Sequence, residues 1–171
     1  KSKIAINNKH DLSLAYTPGV GYVSSEIGKN KALARELTLK GNSVAIVSDG
    51  SAILGLGNLG PEAAIPVMEG KAVLFKRFAN IDGFPICLAT QNTEEIIKAV
   101  KYIAPVFGGI NLEDIAAPRC FEIERRLREE LSIPVMHDDQ HGTAVVVLAG
   151  LINAIKVAGL KRESAKVVIS G

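Results

Sequence analysis

Residues 106–139 read VFGGINLEDIAAPRCFEIERRLREELSIPVMHDD. A short apolar run (106–110) leads to the acidic pair Glu113-Asp114. An amphipathic segment (119–131) and a second apolar run (133–136) then lead to a second pair, Asp138-Asp139. In the middle segment Cys120, Ile123, Leu127 and Leu131 share one face while Arg125, Arg128 and Glu129 fall on others, the pattern of a helix covering a sheet. Strand, covering helix, strand is the repeating unit of an α/β sheet. Working outward, SVAIVS (43–48), AVLF (72–75), FPICLA (84–89) and AKVVIS (165–170) read as further strands, and 94–104, with Ile96, Ile97, Val100 and Ile103 together, as a further helix. The fold expected is α/β, a mostly parallel sheet flanked by helices. Residues 143–158 are apolar nearly all round, with Leu148, Leu151, Ile152 and Ile155 in helical spacing. That predicts a helix buried on more than one side, bridging two layers or domains.

Each acidic pair directly follows an apolar run that ends like a buried strand, and the carboxyl ends of strands are where open α/β sheets bind ligands. Taken singly, such acids are helix N-caps or solvated loop residues. Two pairs converging would raise one another's pKa unless a cation relieved them, which points to a hard, oxygen-rich site for Mg²⁺ or Mn²⁺.

The chain has 171 residues, 47% of them hydrophobic, enough for a substantial core. Lys and Arg number 20 against 18 Asp and Glu, spread without a basic stripe, so nucleic acid is not an expected partner. No apolar run reads as long enough to span a bilayer, so no membrane association is expected and the cytoplasm is the expected compartment. Cys87 and Cys120 are isolated in apolar segments and read as buried thiols of a reducing compartment.

Gly55-Leu56-Gly57-Asn58-Leu59-Gly60 matches G-x-G-x-x-G. The run before it is interrupted by Ser48-Asp49-Gly50-Ser51, and the helix after it opens with Pro61-Glu62. The glycines are therefore expected to turn the backbone tightly against a small ligand and not to hold a pyrophosphate. A helix from Pro61 to Gly70 would deliver Lys71 at the start of the strand AVLF. Desolvation there would let it lose its charge, as a general base must; the alternative is an exposed lysine complementing a helix dipole. Thr17-Pro18-Gly19 reads as a turn with positive φ at glycine, aiming Tyr16 rigidly, either as a general acid beside a cation or as an anchor for an N-terminal arm. At the other end KVVISG resembles the first strand of a dinucleotide fold reaching its first glycine, Gly171. The domains expected are 1–140, and 141–171 as a connecting helix with the start of a second domain.

In this order YTPGVG (16–21), SDGSAILGLGNLG (48–60), PVMEGKAVLFK (66–76), FGGINLEDIAAP (107–118) and HDDQHGTAVVVLAG (137–150) closely resemble the malic enzymes, particularly the short prokaryotic type. The resemblance implies oxidative decarboxylation of L-malate to pyruvate and CO₂ with reduction of NAD⁺ or NADP⁺, dependent on Mg²⁺ or Mn²⁺, in a homodimer. It implies Glu113, Asp114 and Asp139 as metal ligands, Lys71 as general base, Tyr16 as general acid and Asp138 as the acid orienting the lysine. Larger members have an arginine for malate's carboxylate where this chain has Ala52. Backbone amides near Gly55 to Gly57, Asn92, or a group outside these 171 residues are the expected substitutes. The cofactor domain is expected to begin near Gly171. Two other readings use the same residues: a metal-dependent oxaloacetate decarboxylase without nicotinamide, and a non-catalytic module.

Overall fold

The computed structural model describes residues 4–169. Four strands, β1 (Ser43–Ser48), β2 (Asp82–Cys87), β3 (Gly109–Leu112) and β4 (Val135–His137), form one parallel sheet in the order β2-β1-β3-β4. Between them run α4 (Pro61–Ala79), α5 (Thr93–Ile103) and α6 (Arg119–Glu130), after three N-terminal helices, α1 (Lys9–Ala15), α2 (Gly19–Lys29) and α3 (Ala34–Leu37); α7 (Thr143–Val157) follows the sheet. This is the expected α/β class.

Alternation along the strands divides the core. Ala45 and Val47 of β1, Ile110 and Leu112 of β3, and Val135 of β4 turn to one face, where Ile96, Ile97 and Val100 of α5 and Cys120, Ile123 and Leu127 of α6 cover them. Each fully buried Ile or Leu here stabilises the fold by roughly 1.5–3 kcal/mol. On the other face α4 lies close over β1 and β2. Gly83 permits that approach, since a Cβ there would come within 2.9 Å of Ala72 Cα and of Ile46 Cδ1.

Chain order reverses at β1, whose neighbours are β2 on one side and β3 on the other, so a crevice opens at the carboxyl ends of β1 and β3. The register brings Val47, Leu112 and His137 side by side, and the residues that follow them leave the sheet along one edge. Both acidic pairs are carried to that edge.

The helix expected to end at Gly70 continues through 72–75 to Ala79, so AVLF is helix and not strand. A four-residue apolar run is compatible with either state, and the place beside β1 is taken by β2. The stop comes at Asn80, in the left-handed conformation (φ 54°), where its N–H donates to Lys76 O at 3.1 Å. The expected strand 106–110 starts later, at Gly109, because 104–106 form a 3₁₀ turn. Strands 84–89 and 133–136 lie two residues earlier and one to two residues later than read.

Residues 165–169 of the last expected strand have no sheet partner among the described residues, and Gly171, the expected first cofactor glycine, lies outside them. The three N-terminal helices are not among the elements expected from the sequence. The first is capped by Asn8 Oδ1, which accepts from Asp11 N–H at 2.9 Å. Gly19 opens α2 without positive φ. What it supplies is proximity, since a Cβ would lie 2.6 Å from Leu14 O.

The helix expected over 143–158 forms, but among the described residues nothing buries it: none of the residues of α7 is buried, and Val145 to Leu148 are 56–69% exposed. Periodicity reports an apolar surface and says nothing of what covers it. The continuous helical stretch Asp138–Val157 is also long and apolar enough to cross a membrane, contrary to the sequence reading. Its first turn, however, carries the second acidic pair.

Candidate active site

Asp49, immediately after β1, is fully buried. Its Oδ2 accepts from Arg119 Nη2 at 2.5 Å, and its Oδ1 from Ser51 N–H (3.0 Å) and Ser51 Oγ (2.5 Å). Ser51 Oγ in turn accepts from Ala116 N–H at 2.8 Å, while Ala52 N–H donates to Asp114 O at 3.0 Å. The loops after β1 and β3 are thereby locked to each other. Removing Arg119 would strand a buried carboxylate, at a cost of about 3–5 kcal/mol. Sequence reading passed over Asp49, although it occupies the same strand-end position as the two acidic pairs.

Glu113, 5% exposed, follows β3, its N–H bound to Val47 O and its Oε2 accepting from Asn111 Nδ2 at 2.9 Å. Lys71 reaches it from the third turn of α4, with Nζ 3.1 Å from Glu113 Oε2 and 2.7 Å from Asp138 Oδ2. The carboxylates of Glu113, Asp138 and Asp139 each offer an oxygen within 4.8 Å of the others. Asp114 joins through its backbone, whose N–H donates to Asp139 Oδ2 at 3.1 Å. It is held at φ 54°, a conformation costly for a residue with a Cβ and one that clusters at functional sites. Its buried Oδ2 has no hydrogen-bond partner. Gly142 makes room for the second pair, since a Cβ there would lie 2.7 Å from Asp138 Oδ1.

Burial, reinforced by the Asp139 charge, raises the pKa of Asp114. Burial also raises that of Glu113, with Asn111 and Lys71 opposing. Lys71 departs from the sequence expectation. It lies inside a helix and not at its end, and burial alone would lower its pKa; the hydrogen bond to Asp138 and the charge of Glu113 outweigh that, and the pKa is raised. Without a cation, therefore, Lys71 is held as an ammonium between two carboxylates. His137, nearly fully buried, has its pKa lowered by burial against the pull of Asp139, Glu124 and Asp138.

This donor set suits a divalent cation. It is all oxygen, crowded, and contains one buried oxygen lacking any partner. Glu113 and Asp114, with folded pKa values above the unfolded ones, contribute stability fully present below about pH 4 and lost as pH rises through the folded values. A cation binding only the folded chain offsets that loss, by about 2.7 kcal/mol at a hundredfold excess over its Kd. Urea unfolding midpoints with saturating Mg²⁺ and with chelator should therefore coincide near pH 4 and separate steadily toward pH 7. Superimposed midpoints at pH 7 would remove the cation site.

The other expected residues lie on the loop after β1, at the start of α5 and after α1. Gly55, Gly57 and Gly60 all have positive φ (76°, 89° and 88°) in a loop tied back by Ile53 N–H to Gly57 O and by Gly60 N–H to Gly50 O. This loop joins the β2–α5 connection through a reciprocal amide pair, Asn58 with Gln91 (3.0 and 2.8 Å). Asn92 is the N-cap of α5, its Oδ1 accepting from Glu94 and Glu95 N–H. Tyr16, just after α1, is 68% exposed, and no described interaction links it to Lys71.

The sequence profile of the malic enzyme N-terminal domain matches residues 1–98 and 90–128. The chain is 65% identical over 170 residues to an NAD-dependent malic enzyme of Geobacillus stearothermophilus, covering 99% of this chain and 36% of that protein. It is 55% identical over 163 residues to an NADP-dependent malic enzyme of Rhizobium meliloti, covering 95% of this chain and 21% of that one. The crystal structure of malic enzyme from Pyrococcus horikoshii superposes with a TM-score of 0.92 at 59% identity, covering 96% of this chain and 38% of that chain. The chain thus spans well under half the length of each.

Proposed function

The chain belongs to the malic enzyme family, and on that premise we propose that it is the malate- and metal-binding part of an enzyme converting L-malate to pyruvate and CO₂ with reduction of NAD⁺ or NADP⁺. The observation carrying this reading is Lys71 Nζ set between Glu113 and Asp138 at the carboxyl edge of the sheet, against a cluster of acids suited to Mg²⁺ or Mn²⁺. Glu113, Asp114 and Asp139 would hold the cation: Asp114 Oδ2 lacks a partner, and Lys71, 2.7 Å from Asp138 and 3.1 Å from Glu113, would stay with Asp138 alone once the cation is bound. When bound, the cation would supply Lewis acidity toward the hydroxyl and keto oxygens of the substrate, and the nicotinamide would accept the hydride.

Lys71 takes the proton of the 2-hydroxyl, and Asp138 keeps its amine aimed at that oxygen. Tyr16 protonates C3 of the enol left after CO₂ departs. Backbone amides around Gly55 and Gly57, with Asn92 Nδ2, receive the substrate carboxylate that has no arginine at Ala52. Because Tyr16 stands exposed at the end of α1, with no described interaction to Lys71 or the acids, we assign it to the site of the partner subunit in a homodimer. Residues 1–140 form the catalytic domain in this reading, and 141–171 lead into the cofactor domain, with Gly171 its first phosphate-loop glycine. The compartment is the cytoplasm, where both nicotinamides are available.

The test is malate-dependent reduction of NAD⁺ and NADP⁺ by the complete protein with Mn²⁺. Activity with either cofactor supports the reading. Decarboxylation of oxaloacetate without any malate oxidation would replace it with the nicotinamide-independent alternative.

A further inference from the structure

The apolar stripe of α6 contains one charged residue. Cys120, Ile123 and Leu127 are buried against the sheet, and Glu124, four residues after Cys120 on the same face, is 3% exposed among them. An apolar side chain there would serve packing alone, since a buried carboxylate is costly unless its oxygens are well supplied with donors. The donors of Glu124 come from a single short segment. Its Oε1 accepts from His137 N–H at 3.0 Å and lies 2.8 Å from His141 Nδ1. His137 closes β4 and His141 lies four residues further on, in the turn 138–142. One buried oxygen thus holds both ends of a bracket whose interior is Asp138-Asp139. Those two residues in turn meet Lys71 (2.7 Å) and Asp114 N–H (3.1 Å).

We propose that Glu124 is the positioning residue of the acidic pair, clamping residues 137 and 141 so that Asp138 and Asp139 are presented preformed to the cation and to Lys71. The inference rests on the metal-site reading given above. A residue of this kind acts through the ligands it orients, and losing such a partner typically weakens metal affinity 10–100-fold.

Mn²⁺ affinity, read by titration calorimetry or by the electron spin resonance signal of free Mn²⁺ on the complete protein, tests the clamp apart from turnover. Glu124→Leu completes the apolar stripe and removes the acceptor. It is expected to lower the melting temperature modestly, since the buried His137 N–H loses its acceptor, while weakening Mn²⁺ binding about 10–100-fold. Glu124→Gln retains an acceptor oxygen and should bind close to wild type. His141→Ala removes one arm and should fall between them, which keeps the proposal testable if the leucine variant fails to fold. A folded Glu124→Leu or His141→Ala variant with wild-type Mn²⁺ affinity overturns the clamp while leaving the metal site standing. A wild type without measurable Mn²⁺ affinity overturns both.

Discussion

Lys71→Ala in the complete protein is expected to lower malate oxidation by roughly 10²–10⁴-fold, the loss that follows removal of a positioned general base. Mn²⁺ binding should survive, because the substitution removes a positive charge from among the carboxylates and no metal-ligating atom. The raised pKa of Lys71 in the free site makes the expectation more specific. An ammonium flanked by Glu113 and Asp138 is a poor base, and it becomes a better one only when part of that negative charge is drawn elsewhere. Asp138→Asn should accordingly loosen the hold on the proton of Lys71, moving the acidic limb of the kcat/KM profile to lower pH as well as lowering the rate. Steady-state rates across pH in both variants check this. An alanine variant retaining more than about a tenth of wild-type kcat would take the base away from Lys71, since that is a smaller loss than general-base removal gives.

Tyr16→Phe should slow ketonisation of the enol by a comparable 10²–10⁴-fold while affecting hydride transfer much less, because only the acidic proton is removed. Pyruvate tritium exchange reads the first step, and reduction of a 2-keto acid by the reduced cofactor reads the second. Mixing subunits then decides which chain supplies the tyrosine. If Tyr16 serves the partner's site, equal mixing of Lys71→Ala and Tyr16→Phe subunits assembles heterodimers with one intact site each, and about a quarter of wild-type activity returns. With Tyr16 acting within its own chain, no heterodimer site is intact and nothing returns. Exchange at the wild-type rate in Tyr16→Phe alone would leave the tyrosine as an anchor of the N-terminal arm.

Several parts of the molecule were legible in sequence because they depend on neighbours a few residues away. The faces of α5 and α6 follow from spacing at i, i+3, i+4 and i+7, and the strand runs of β1 to β4 from short apolar stretches, β1 with the expected ends and β2 to β4 with ends shifted by one to three residues. That both acidic pairs reach the ligand-binding edge also follows from sequence, because each comes directly after a strand and parallel strands end at one edge. The glycines of 55–60 were readable as backbone freedom, and positive φ at all three is what the structure has.

Long-range decisions were not legible there. Whether 72–75 is strand or helix depends on which segment occupies the edge beside β1; β2 does, and Lys71 therefore points from the middle of a helix. The charge state of Lys71 depends on carboxylates 42 and 67 residues further along the chain, which reverse the effect that burial alone would have. Glu124 carried a faint signal, a charge on an apolar stripe, but its role appears only once β4 ends beside it. Apolar periodicity in α7 likewise marked a face without revealing whether anything lies against it. Local sequence sets backbone preference and surface character over a few residues, whereas burial, charge partnership and the assembly of a site are set by contacts between segments that only the folded chain brings together.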